Sequence, residues 1–560
     1  MKEIKTDDSI KIFALGGLDE NGKNLYVVEI DQDIYVIDAG FKYPNENEQL
    51  GVEMIIPDVS YLIKNKERVK AIFITKADDD NIRTLPYIMK EVKAPIYTTS
   101  LICKLVKGLL EVNKIKNCKI NTIKRNDIFY VGRTQIESFA MTQSMPDGIG
   151  IAIKTEYGAI VYTSEFVIDY DNNNDHFSCD IGKIAQIGKN GVFALLTESR
   201  ACTNEGYTSP KHKITNLVEH YFENVQGRLF VTLYQQNIYR LIEIFELAKK
   251  YDMKVYFHNN KQLRLLELIS HLGYYKLAKE LLISKEEFAE AKGHVLGIVS
   301  GTGSRTFKRM HKIALREDEV IQLRESDTVI IASPPSFETE VASANMENDL
   351  YKEHVHVVAL KPTEVLSMHA SKEDVKMIIN ILKPKYYFPV NGDYRHLMEN
   401  AKTANSLGYN GQNIIVLDNG QIAQFRQGKF KESRVFLDLE EHMIDGNEKL
   451  DVGGLVLRDR EILSSDGVIV LGVVINNKTK KLVAGPDIQS RGVIYLKDAD
   501  HIIKKLTSIL IDEIQKATET KSYENATVRL NARDKMAKYI LKETGKRPMI
   551  LPAIIEISGV

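Results

Sequence analysis

The sequence predicts an α/β protein of several domains that ends in a smaller α+β domain. Three observations carry this reading. Short runs rich in β-branched and aromatic residues alternate with segments of helical spacing along most of the chain. The length of 560 residues exceeds what one hydrophobic core serves, so about three or four domains are expected. A hydrophobic fraction of 44% beside 27% charged residues is that of an ordinary globular chain rather than a disordered one.

The elements follow in order. Residues 25–30 (LYVVEI) and 34–37 (IYVI), with an Asp-containing turn between them, read as a hairpin. Residues 71–75 (AIFIT) form a short buried strand, followed by the polar loop KADDDN. Ile82, Leu85, Met89 and Val92 then recur at helical spacing, with Pro86 tolerable in the first turn. PIYTTS is a strand and 101–112 a helix. Residues 149–155 and 158–163 make a strand pair around Glu156-Tyr157-Gly158. Strands at 227–233, 253–257, 295–299 and 328–332 alternate with helical stretches, which predicts a parallel α/β unit. Beyond Glu432 the charge density rises, marking a linker. From Val452 a compact α+β segment is expected, with strands at 467–475 and 492–496 and a helix over about 500–517.

Composition excludes several classes. Lys+Arg 75 against Asp+Glu 76 leaves a net charge of −1. A nucleic-acid site must therefore be a local basic patch. Cys103, Cys118, Cys179 and Cys202 are widely spaced and include no CxxC pair, so neither a zinc ribbon nor a disulfide framework is indicated. The first residues are charged and lack the apolar core of a secretory leader. The longest apolar run, 467–475, is too short to span a bilayer. A reducing cytoplasm and no membrane partner are expected.

Three segments place polar groups just after buried strands, where α/β sheets gather reactive side chains. They are Asp38-Ala39-Gly40, the loop from Lys76 to Asn81, and Thr163-Ser164-Glu165. Asp78, Asp80 and Glu165 could hold a hard cation through oxygen ligands, or the loop is simply a solvated acidic stretch. All 13 histidines lie at or after His176. A zinc or manganese hydrolase built on the N-terminal half would need imidazole there. His354 and His356, in a valine-rich stretch, read as core or edge histidines, and His369 sits in a polar loop before a helix. Ser300-Gly301-Thr302-Gly303-Ser304 follows a strand and could wrap backbone N–H groups around an anion. Arg305, Lys308, Arg309, His311 and Lys312 come next, as a basic cluster or a solvated helix face.

Many short motifs carry a resemblance. They are Leu15-Gly16-Gly17, Gly22-Lys23-Asn24, Asp38-Ala39-Gly40, Phe73-Ile74-Thr75 with KADDDN and Leu85-Pro86-Tyr87, TQSMPDGIG, YGAIVYTSEFVID and LKPKYYFPVNGDYR. Toward the C-terminus come Leu457-Arg458-Asp459-Arg460, Gly485-Pro486-Asp487, Ser490-Arg491-Gly492 and RPMILP. In this order, over almost the whole chain, they resemble the ribonuclease J family. The resemblance is to the degenerate second paralogue of Gram-positive bacteria. It implies a metallo-β-lactamase αββα sandwich over 1–208 and 359–430, with a β-CASP α/β domain inserted at 209–358. A linker over 431–451 and a small α+β dimerisation domain over 452–560 complete it. Active members are 5′→3′ exoribonucleases and endoribonucleases that use a pair of zinc or manganese ions in RNA processing and decay.

The departures from that pattern direct the functional expectation. At the family's histidine positions stand Lys76, Asp78, Asn81, Gln143 and Asn391; the bridging aspartate is Glu165, and Asp80 is kept. Lysine repels a metal, and Asn and Gln offer only a neutral carbonyl oxygen. Without the metal cluster, no hydroxide nucleophile forms at neutral pH. The resemblance carries over Glu198 as the acidic β-CASP position, His369 as the β-CASP histidine facing the scissile phosphate, and Asn237 next to the 5′-phosphate pocket. Gln236 and Tyr239 depart from the family there. The expected function is a non-catalytic subunit that binds single-stranded RNA through His369, Ser367, Asn237, Arg305, Lys308 and Arg309. Its expected partners are itself or an active ribonuclease J, with no cofactor. The alternative is a weak ribonuclease with a carboxylate-only magnesium or manganese site at Asp78, Asp80 and Glu165.

Overall fold

The structure is a computed structural model that describes residues 9–44, 49, 51–171, 174–336, 339–445, 448–449, 455–493 and 500–558. The chain divides into two compact units, Met1–Tyr43 with Ile55–Glu441, and Pro44–Met54 with His442–Val560.

The first unit is built on a sandwich of two sheets. The eight-stranded sheet runs Lys429–Phe436, Gln421–Arg426, Ser9–Gly16, Leu25–Ile30, Asp33–Ile37, Val69–Phe73, Ile96–Thr98 and Ile120–Thr122. The six-stranded sheet runs Tyr386–Val390, Val192–Glu198, Gly158–Tyr162, Ile149–Thr155, Thr134–Ala140 and Asp127–Val131. Alternation along the strands sends one set of side chains into the shared core. Ile10, Ile12, Val28, Tyr35 and Phe73 meet Ile149, Ile151, Ile160, Phe193 and Leu196 there. The opposite faces carry helices. Leu85–Met89 and Ser100–Val112 cover the first sheet, and Ile181–Lys189 and Lys372–Leu382 the second. This is an αββα sandwich, as the resemblance implied.

One helix was expected over Ile82 to Val92. Two short ones form instead, Asp79–Ile82 and Leu85–Met89. Thr84 explains the break, because its N–H donates to Ala39 O (2.8 Å) and its hydroxyl to Gly40 O (2.6 Å). Pro86 then starts the second helix, where its missing N–H costs nothing. The charged stretch read as a linker begins inside Lys429–Phe436, the edge strand of the large sheet. Exposed lysines and glutamates suit such an edge.

Inserted into this sandwich is a five-stranded, wholly parallel sheet. Its order is Lys254–Phe257, Val295–Gly301, Leu229–Tyr234, Thr328–Ile331 and His356–Ala359. Helices cover both faces, as parallel sheets require. His356 lies on the edge strand, exposed. At the base of the central strand the buried Arg228 pairs with Asp327 at 2.6 Å.

The second unit has a three-stranded sheet in the order Leu482–Arg491, Val468–Asn476 and Met549–Ile557. Helices Asp500–Glu519 and Asn525–Thr544 pack on one face through Leu506, Leu510, Val528, Met536 and Ile540. The expected strand at 492–496 does not form at Gly492 and Val493, and 494–496 lie outside the described residues. No described helix is long and apolar enough to cross a membrane.

Candidate functional site

The segments singled out in the sequence converge where strands of the two sandwich sheets end. Asp38 follows the strand Asp33–Ile37 in a left-handed conformation (φ 60°). It accepts from the N–H of Thr75 (2.9 Å), the Thr75 hydroxyl (2.8 Å), Asn81 Nδ2 (2.8 Å) and the Tyr162 hydroxyl (3.2 Å). Burial pushes its carboxyl up to about 7 against these donors. Asn81 thus serves as a strut that ties its loop to Asp38. Gly40 lets the two segments touch, because a Cβ there would lie 1.5 Å from the Asp80 carbonyl oxygen.

Lys76 leaves this strut pointing inward, and its residue is only 3% exposed. Its ammonium contacts Asp78 Oδ2 at 2.5 Å and also Glu165 Oε2. Burial pushes the ammonium pKa down, but the charges of Asp78, Glu165 and Asp80 outweigh it and hold it above the ordinary lysine range. Burial also pushes Glu165 up, yet Lys76, His369 and Arg200 win and hold its carboxyl down at about 2. Asp78 is pushed up to about 7 by burial, with Lys76 opposing and the charges of Asp80 and Glu165 adding to it. Asp80 is likewise raised, by burial and then by Glu165.

Arg200 is the residue that the sequence reading missed. Its guanidinium lies 3.6 Å from both Asp80 Oδ2 and Glu165 Oε1. It follows the strand Val192–Glu198, two positions after Glu198; a cation just beyond a strand-end acid was the only available signal. His369 Nδ1 pairs with Glu198 Oε2 at 2.7 Å and faces Glu165 at 3.9 Å. Glu198 Oε1 also accepts the N–H groups of Phe166 (2.8 Å) and Ala370 (2.9 Å). The His369 loop is fastened by Thr208, whose hydroxyl donates to His369 O (2.7 Å), and by Asp374, which accepts from the N–H groups of Thr208 (2.9 Å) and Ser371 (3.1 Å). Gln143 and Asn391 are buried, and neither amide oxygen nor amide nitrogen of either has a partner among the described residues.

Comparison with known proteins decides the family. A model of the ribonuclease J β-CASP domain matches residues 226–347, one of the ribonuclease J C-terminal domain 455–557, and one of a Zn-dependent metallo-hydrolase RNA specificity domain 355–416. Ribonuclease J 2 of Staphylococcus aureus (strain MRSA252) is 32% identical over 99% of both chains. Ribonuclease J 2 of Staphylococcus epidermidis (strain RP62A) is also 32% identical over 99% of both. The chain belongs to the ribonuclease J family. It resembles the second paralogue. A crystal structure of a protein of unknown function from Enterococcus faecalis V583 shares the fold, with a TM-score of 0.51 and 15% identity over 74% of this chain and 100% of the other.

The metal pair that the ribonuclease J family implies does not fit these residues. An ammonium with three donors and no acceptor lies between Asp78 and Glu165 and pairs with both carboxylates. The amides of Gln143 and Asn391 offer neutral oxygens in place of imidazole. Among the described residues, no group of three or more His, Cys, Asp or Glu is arranged to hold a metal.

The other ribonuclease J positions lie on the inserted domain and its connections. Asn237 caps the helix Ile238–Lys250, accepting from Arg240 N–H at 3.1 Å, so its side chain serves the fold. Tyr239 donates its hydroxyl to Asp169 at 3.0 Å. Ser367 is exposed. The helix Arg305–Ala314 starts just after the strand Val295–Gly301, with Arg305 and Lys308 exposed. Arg309 turns back and donates to Ser300 O.

Proposed function

We propose that this chain is a ribonuclease J subunit that binds single-stranded RNA without cleaving it and associates with an active ribonuclease J. The observation that carries the reading is the buried Lys76 ammonium between Asp78 and Glu165. Metal-activated hydroxide and metal charge on the phosphate each contribute several kcal/mol in this chemistry, and losing both leaves essentially no hydrolysis. A carboxylate-only magnesium or manganese site would share Asp78, Asp80 and Glu165 with two cations, Lys76 and Arg200, and is disfavoured for that reason.

Two surfaces support the remaining roles. Arg305 and Lys308 stand exposed beside the glycine-containing turn at 302–304, on the domain that carries the β-CASP match. RNA phosphates are drawn to such cations through counterion release. The open face of the C-terminal sheet shows Val470, Leu551 and Ile555 to solvent, and Val470 pairs directly with Leu551. Contiguous exposed apolar residues of this kind suit association with another subunit. Metal analysis of the purified chain, together with single-turnover cleavage of 5′-monophosphorylated RNA in manganese, tests the proposal. The expected result is RNA retained and uncut with substoichiometric metal; stoichiometric metal with turnover overturns it.

A further inference from the structure

We infer that the Lys76 ammonium is a tethered internal cation that does the structural work of a metal ion here, and that removing it exposes a divalent-cation site. The inference deepens the non-catalytic reading, because it rests on the misfit between these residues and the family's metal pair. The geometry supplies the first ground. Lys76 begins at a fixed point, since the N–H and hydroxyl of Thr75 are both held by Asp38. The residue is buried, 3% exposed, although lysines ordinarily turn their ammonium outward. The ammonium closes on Asp78 and Glu165, which arrive from different sheets of the sandwich.

Charge supplies the second ground. Asp78 and Glu165 are buried and Asp80 is half-buried beside them, and such a group is unstable unless cations compensate it. Lys76 bridges two of them. Arg200 approaches the third, Asp80, and the far oxygen of Glu165. The third ground is a set of oxygens that nothing satisfies. Asp78 Oδ1 and Asn81 Oδ1 are buried without a hydrogen-bond partner among the described residues, as are the side-chain oxygens of Gln143 and Asn391. Oxygen-rich, carboxylate-centred surroundings are those that magnesium and manganese select. One monovalent ammonium leaves these surroundings under-satisfied; the carboxylates are not arranged to hold a metal while the ammonium separates them, so a divalent ion enters only as they close on the volume it vacates.

Lys76→Met keeps the stem and deletes the charge, and MnCl2 is the probe. The parent is expected to melt at the same temperature in EDTA and in MnCl2. Lys76→Met is expected to melt lower than the parent in EDTA, to recover stability as MnCl2 is raised, and to bind Mn2+ in an electron paramagnetic resonance titration where the parent binds none. Adding Glu165→Gln to Lys76→Met should restore part of the lost stability in EDTA, because the stranded charge is removed with its partner. Should the single variant fail to fold, this double variant carries the test by folding where the single does not. A parent destabilised by EDTA, a Lys76→Met protein that melts like the parent and takes up no Mn2+, or a double variant weaker than the single would each overturn the inference. The two readings separate cleanly. A chelator-sensitive parent that cuts no RNA removes the tethered cation and leaves the non-catalytic reading, whereas a chelator-insensitive parent that cleaves RNA does the reverse.

Discussion

Gly40 and Glu29 show how much single residues decide in this chain. At Gly40 any side chain collides with the Asp80 carbonyl, 1.5 Å from an ideal Cβ, and backbone cannot yield as a side chain does. Gly40→Ala is therefore expected to cost about 3 kcal/mol, measured by urea unfolding, since overpacking of a rigid site lies at the top of its usual range. Glu29 is buried in the large sheet and accepts from Lys11 (2.9 Å), Arg68 (2.5 Å) and the Tyr61 hydroxyl (2.6 Å). Burial pushes its carboxyl up, but Lys11, Tyr61 and Arg68 outweigh burial and hold it below the ordinary glutamate range. A depressed folded-state pKa stabilises above the unfolded value of about 4.3 and is lost as pH falls through the folded one. Glu29→Gln should thus cost about 2 kcal/mol at pH 7, in line with hydrogen bonds to charged groups. That difference should shrink as pH falls below about 4; equal losses at pH 3 and pH 7 would contradict the assignment.

At the scale of elements, the helix Arg305–Ala314 carries the most direct test of RNA binding. Its inner face, with Phe307, Met310 and Ile313, packs into the core of the parallel sheet, so its cations project from an anchored support. Each phosphate contact on a single strand contributes about 0.7 to the slope of log affinity against log salt. Replacing Arg305, Lys308 and Arg309 by alanine should flatten that slope by about 1.4, the share of two contacting cations. Arg309 is expected to add little, because its guanidinium is spent on Ser300 O. A filter-binding series with an unchanged slope would make this helix a solvated face.

For the molecule as a whole, the C-terminal sheet is the surface at which association with another subunit is expected. One face of that sheet is filled by two helices, while Val470, Leu551 and Ile555 remain exposed on the strands. Leu551→Asp with Ile555→Asp should leave the unit folded, since both side chains are already exposed, and should weaken self-association or co-purification with an active ribonuclease J. Light scattering and pull-down measure this. An oligomer indifferent to both substitutions places its interface elsewhere.

The sequence by itself determined what chemistry was missing. Histidine is absent before His176, and Lys76, Asp78, Asn81, Gln143 and Asn391 stand where the family resemblance implies imidazoles. It also determined the succession of strands and helices, because periodicity and β-branched runs are local properties. The break at Thr84 was not legible, since the Ala39 and Gly40 carbonyls that cause it come from another strand end. The resemblance places Asn237 next to the 5′-phosphate pocket, whereas its bond to Arg240 N–H shows a helix cap, a role that the sequence did not reveal. Tertiary structure alone decided where Lys76 points and that Arg200 meets Asp80 and Glu165. A lysine stem is long enough for either direction, and packing chooses between them by comparing an unpaired buried carboxylate with a buried ion pair.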